Sequence, residues 1–245
     1  MTMIYKARLG QQSYGVAIGI LLLETFVPFI PGDVANASTY EFPVRFQKVE
    51  GFTTDRAIGK DESISENLLQ ASKKLERDGV RAITGDCGFM AIHQRKIARN
   101  VNVPVFLSSL LQIPFICSII SERDKIGIIT ADSGSLDASV LEAVGIKTSK
   151  NLVIRGLQYQ DEFARAVIEE EGSLDPKAIE REVVFVARTI IKEDPGVKAI
   201  LLECSCLPPY GTAVQEALGL PVFDYITMIN YVYSAVVKRR FEGFM

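Results

Sequence analysis

One pattern occurs twice in the chain. Val80-Arg81-Ala82-Ile83-Thr84-Gly85-Asp86-Cys87 returns, 117 positions on, as Val197-Lys198-Ala199-Ile200-Leu201-Leu202-Glu203-Cys204. The same displacement carries Pro104-Val105-Phe106 onto Pro221-Val222-Phe223 without a gap, and between these anchors Met90, Ile97 and Val101 fall on Leu207, Val214 and Leu218. A second correspondence pairs Ile18-Gly19-Ile20-Leu21-Leu22-Leu23-Glu24 with Ile126-Gly127-Ile128-Ile129-Thr130-Ala131-Asp132. Such displacements are too long for a solenoid repeat. Each copy is a short apolar run, the pattern of a parallel strand buried on both faces. The chain is therefore expected to fold as two related halves, each ending a buried strand in a cysteine.

The segments between the repeats fit that expectation. Strands are predicted over 14–24, 43–49, 103–107, 125–130, 151–157 and 222–225, besides the two cysteine strands. Ile64, Leu68, Leu69 and Leu75 recur at helical spacing over 63–78, with Gly79 as the stop. Further helices are predicted over 89–99, 108–121, 209–218 and 226–244, with one from a cap at Asp132 or Ser133 to Ala143. A long helical stretch before Val197 is expected to break near 172–176. Alternating strands and helices imply parallel sheets with helices on both faces. The fold class is thus α/β, two pseudo-symmetric half-domains with the active site in the cleft between them. The first half spans 1–122 and the second 123–225, with a C-terminal helix at 226–245 expected to pack back on the first half.

Composition narrows the partners. A net charge of −3 over 245 residues argues against nucleic acid, which needs a basic face. The cluster Lys238-Arg239-Arg240 reads as a solvated helix end. Four scattered cysteines make no disulfide framework, so a reducing, cytoplasmic setting is expected. Residues 15–31 imitate a signal peptide, following Lys6 and Arg8 and preceding Ala35-Asn36-Ala37. Glu24, Pro28 and Pro31 interrupt that run, and its twin in mid-chain assigns it to the fold. No membrane span is expected.

In open α/β sheets, ligands bind beyond the carboxyl ends of the strands. Cys87 and Cys204 both fall there, each before a predicted helix whose N-terminal dipole is expected to lower a thiol pKa. Facing each other across a cleft, the two sulfurs can remove a proton from one side of a carbon and return one to the other. They would titrate as a coupled pair. Iodoacetamide is expected to find one of them quickly near neutral pH, and Cys117, taken as an inert thiol in an apolar helix, slowly. No Gly-x-Gly dinucleotide loop and no lysine in a pyridoxal context is present, so no cofactor is expected. Cys87, Cys204 and Cys206 are soft ligands, but one intervening residue is tight for zinc, and His93 reads as a surface helix residue, so no metal is expected either.

These features resemble the aspartate/glutamate racemase superfamily, with Gly85-Asp86-Cys87-Gly88-Phe89 and Glu203-Cys204-Ser205-Cys206 at the places of its two cysteine motifs. The resemblance covers essentially the whole chain. It implies acid and base roles for Cys87 and Cys204, and a carboxylate-holding role for Ser205 in place of the family threonine. Gly88 and Phe89 replace the family's Asn-Thr pair, Cys206 stands where glutamate racemases carry a helper histidine, and Glu24 is loosely equivalent to the family's acid. Asp33 and Asn36 in the loop after the first strand, with Thr130 and Ser133 in the second half, complete the expected substrate-binding set. Asp33 and Asn36 read equally as turn-shaping residues, and Ser133 as a helix cap. The implied activity is an isomerase: a cofactor-independent, homodimeric racemase or epimerase acting at the α-carbon of a small carboxylate such as an amino acid. The alternatives are a cis–trans isomerase, decarboxylase or hydantoin racemase on the same scaffold, or a non-catalytic small-molecule-binding protein.

Overall fold

A computed structural model describes residues 4–245. The first half contributes strands β1 (Ile18–Glu24), β2 (Val44–Thr53), β3 (Ala82–Gly85) and β4 (Val105–Phe106). The second contributes β5 (Lys125–Thr130), β6 (Leu152–Gly156), β7 (Val197–Leu202) and β8 (Val222–Phe223). They form two parallel four-stranded sheets of matching order, β2-β1-β3-β4 and β6-β5-β7-β8. The registers match too. Ile18 sits between Val44 and Ala82, and its twin Ile126 between Leu152 and Ala199. The α/β class and the two-sheet architecture implied by the repeat are those observed.

A paired glycine explains how closely the helices sit. A Cβ on Gly19 in β1 would lie 2.9 Å from Leu75 of the helix Ser65–Arg77. A Cβ on Gly127 in β5 would lie 2.8 Å from Ile200 and 2.9 Å from Ile190 of the helix Pro176–Glu193. In each half the central strand gives up a side chain so that a long amphipathic helix can lie against it.

The halves share a core. Phe89, Leu110, Ile113 and Ile116 pack with Ile126, Ile128, Ala199 and Leu201 of the other sheet. The helix Tyr225–Val236 returns to the first sheet, burying Tyr225, Met228 and Ile229 with Ile18, Ile20 and Ala82. The Tyr225 hydroxyl donates to the Leu107 carbonyl at 2.9 Å. Among the described residues, no helix is long and apolar enough to cross a membrane.

Several local expectations need correction. The chain after each cysteine makes a 3-10 turn first, Gly88–His93 and Pro208–Tyr210, before an α-helix begins. Asp137, not Asp132 or Ser133, caps the helix Ala138–Ala143, accepting from the Ser139 and Val140 N–H groups. Asp132 instead closes a turn through the Gly134 N–H. The last helix stops at Val236, so Lys238-Arg239-Arg240 lies beyond it and is not a helix end.

Tyr225→Phe tests the return of the last helix. It leaves the buried Leu107 carbonyl without this donor, at a cost of about 1–3 kcal/mol. A lower urea midpoint with unchanged slope is the expected result.

Candidate active site

Strands β3 and β7 bring Asp86-Cys87 and Glu203-Cys204 to one cleft between the sheets. Each strand end is tied to the opposite half. The Ser205 hydroxyl donates to the Asp86 carbonyl, and the Ser109 hydroxyl donates to the Glu203 carbonyl at 2.9 Å. The loop after β1 closes one side with Leu23, Thr25, Val27 and Phe29. Among the described residues, no lysine, arginine or histidine lines the cleft.

Three carboxyl groups are buried in or behind it. Both Asp86 oxygens accept from the Leu23 N–H, at 3.1 and 3.2 Å. Burial nevertheless pushes its pKa up to about 8. Glu203 is fully buried, and its Oε2 accepts from the Thr130 hydroxyl at 2.7 Å. Its Oε1 has no hydrogen-bond partner, and burial pushes the group up to about 7. Asp33 accepts from the Ala35 N–H at 2.9 Å and from Cys206, and burial raises it to about 7.

These acids set the state of the sulfurs. Burial, with the charges of Glu203, Cys204 and Asp86, pushes the Cys87 thiol well above its usual range, against one Phe89 N–H. The expected lowering by a helix dipole is thus overturned: a six-residue 3-10 turn offers little dipole against dehydration and neighbouring negative charge. Cys206 is also pushed well up, first by its hydrogen bond to Cys204, then by burial and Asp33. Cys87 and Cys206 therefore hold their protons, and Cys206 lies beside both Cys204 and Asp33.

The structure gathers some of the sequence-predicted residues and not others. Cys87, Gly88, Phe89, Cys204, Ser205 and Cys206 all line the cleft. Ser205's hydroxyl proton is committed to the Asp86 carbonyl. Asp33 lies behind Cys206, and Thr130 orients Glu203. Glu24 lies away from the cleft, bonded to Lys48 at 2.7 Å and to the Gly51 N–H at 2.6 Å. Asn36 shapes its loop, donating to the Phe29 carbonyl and accepting from the Ser38 N–H. Ser133 accepts from Gln158 at 2.9 Å and does not line the cleft. His93 is not a surface residue: it is 2% exposed, with Nδ1 2.9 Å from the Ser65 hydroxyl. Cys117, by contrast, is exposed.

Sequence reasoning missed Thr25, Asp86 and Glu203. Asp86 and Glu203 were visible in principle, because the repeat superposes them and both interrupt apolar strand ends. Thr25 carried no such signal; its buried, unpartnered hydroxyl is a tertiary fact. Among the described residues, no group of three or more His, Cys, Asp or Glu side chains is arranged to hold a metal ion.

No family model matches the chain. Against curated proteins, a dimethylsulfoniopropionate lyase from Durusdinium sp. clade D is 32% identical over 230 residues, covering 91% of this chain and 76% of the relative. The chain belongs to the dimethylsulfoniopropionate lyase family. Dimethylsulfoniopropionate lyase 5 of Emiliania huxleyi (strain CCMP1516) is 31% identical over 218 residues, covering 82% of this chain but 43% of the relative. The chain thus spans between less than half and three quarters of these relatives' length. Among solved structures, allantoin racemase from Pseudomonas fluorescens aligns with a TM-score of 0.59 at 17% identity, over 90% of this chain and 91% of that one. Unliganded arylmalonate decarboxylase aligns at 0.58 and 15%, over 90% and 92%. These neighbours share the fold of this chain, the one that the resemblance to racemases implied. The expected isomerase activity on an amino acid is overturned, because the family members that share sequence, and not only fold, are named as lyases.

Two outcomes follow from the site. Iodoacetamide at neutral pH modifies the exposed Cys117 before Cys87, reversing the order expected from sequence for that pair. In Cys117→Ser protein, Cys87 reacts only as pH rises beyond the ordinary thiol range, and Glu203→Gln moves that onset down by removing a neighbouring negative charge; peptide mass spectrometry reads both. The second outcome concerns stability. Asp33, Asp86 and Glu203 have raised pKa values when folded, so the folded chain binds more protons and loses stability as pH climbs toward about 8. His93, lowered to about 4 by burial, acts in the opposite sense between about 4 and the ordinary histidine value of 6.5, one proton against three. The urea midpoint therefore falls from roughly pH 5 to about 8, where the slope flattens, and Glu203→Gln shallows the fall.

Proposed function

We propose that the protein is a lyase that splits a sulfonium carboxylate by β-elimination, with dimethylsulfoniopropionate, the compound in its relatives' names, as substrate. The observation that carries this reading is the lining of the cleft: paired cysteines and buried acids with no basic side chain. The second carboxylate of an acidic amino acid would meet no cation there, whereas a cationic sulfonium meets complementary charge.

Elimination needs one base, and Cys204 is that base. Its thiolate takes the proton from the carbon next to the carboxylate. The C–H pair becomes the new carbon–carbon double bond. The carbon–sulfur bond breaks toward sulfur, releasing neutral dimethyl sulfide and acrylate, with the proton left on Cys204. Cys87, held as a thiol, is placed to donate a hydrogen bond to the carboxylate as it gains enolate character. The unpartnered Thr25 hydroxyl, which lines the cleft, is a further donor for that carboxylate.

Headspace gas chromatography tests the proposal: dimethyl sulfide and acrylate are expected in equal amounts from dimethylsulfoniopropionate. Cys204→Ser is expected to lower kcat by about 10²–10⁴-fold, the usual worth of a positioned base. Cys87→Ser keeps an O–H donor and loses less. Undiminished turnover in Cys204→Ser would remove it from the role of base.

A further inference from the structure

Glu203 is the one cleft-lining acid with an oxygen left free. Asp86 commits both oxygens to the Leu23 N–H, and Asp33 bonds to the Ala35 N–H and Cys206 behind the cleft wall. The Oε1 of Glu203 is buried and has no partner, while Oε2 is fixed by the Thr130 hydroxyl. A buried carboxylate oxygen without a partner is costly unless a ligand supplies one.

The position of that oxygen is built into the chain. A Cβ on residue 88 would lie 1.6 Å from Oε1, so only glycine beside Cys87 leaves room for the Glu203 carboxylate. Gly88 and Glu203 come from opposite halves and form one feature of the cleft.

We propose that Glu203, through its free Oε1 against Gly88, is the counter-charge that selects a fully alkylated onium group over a neutral or amine-bearing carboxylate. The inference rests on the lyase reading of the cleft. A primary ammonium would bring three N–H donors into a space that offers one free carboxylate oxygen and the apolar walls of Val27, Phe29 and Phe89. A methylated onium brings charge and no N–H, so a single carboxylate and apolar or aromatic surface satisfy it. The same pairing accounts for the loss of the amino-acid racemases' Asn-Thr clamp at 88 and 89, because a side chain at 88 and the Glu203 carboxylate exclude each other.

Calorimetric titration of the whole protein at pH 8 tests this with two inert ligands of matching shape. One is 3-(trimethylammonio)propionate, and the other its carbon isostere, 4,4-dimethylpentanoate, which keeps the carboxylate and lacks the positive charge. Wild-type protein is expected to bind the onium at least about tenfold more tightly, the scale of one partly desolvated charge pair. Glu203→Gln is expected to reduce that preference to about twofold or less, the onium losing affinity while the isostere keeps its own. Glu203→Asp, which draws the charge back by one methylene, retains part of the preference and serves if the glutamine variant does not fold. The proposal is overturned if the wild type prefers the isostere, if either variant weakens both ligands equally, or if the preference survives intact. Dimethyl sulfide release, measured alongside, separates the two readings. An onium preference that depends on Glu203 without any release keeps its role and sinks the lyase. Release with a preference indifferent to residue 203 does the reverse.

Discussion

Two strand ends meet across the cleft, and hydrogen bonds from each half to the backbone of the other hold them there. Ser205 ties itself to the Asp86 carbonyl, and Ser109 to the Glu203 carbonyl. Everything chemical about the site follows from that junction. It sets Cys87 and Cys204 in one space, and it forces the acids that precede them into the dry interior. Burying an acid without a cationic partner favours its neutral form, and each negative charge that does form discourages the next sulfur from ionising. The cysteines are therefore inequivalent although the repeat makes them look alike.

That inequivalence fits elimination better than inversion. Moving a proton through a carbon from one face to the other needs two groups that can exchange roles. A site whose first sulfur is held protonated by burial and the charge of Glu203 does not exchange those roles freely. Proteins that share this fold are named as a racemase and as a decarboxylase, so fold alone does not choose the chemistry. Racemases and a decarboxylase superpose on this chain at under 20% identity, while the sequence relatives named as lyases reach about 30%. The lining of this cleft has acids on both strand ends, glycine at 88 and, among the described residues, no basic side chain.

The repeat alone determined a good deal. Strict correspondence of apolar runs announced two parallel sheets, because a strand buried on both faces leaves a continuous hydrophobic run that local pattern can reveal. It also put Cys87 and Cys204 at equivalent strand ends, and with them, unread, Asp86 and Glu203. Helix ends were less legible, since caps such as Asp137 and Asp175 compete locally with neighbours of similar chemistry.

Only the tertiary structure decided which residues meet. Glu24 ends its strand in sequence as Glu203 nearly does, yet it turns to Lys48 and the surface while Glu203 is sealed inside. His93 and Cys117 exchange the environments their helical patterns suggested, one buried beside Ser65 and the other exposed. The protonation of Cys87 depends on Glu203, more than a hundred positions away. Desolvation and charge act through space, between groups that packing brings together. A sequence records which groups are available, and the fold decides which of them are dehydrated side by side.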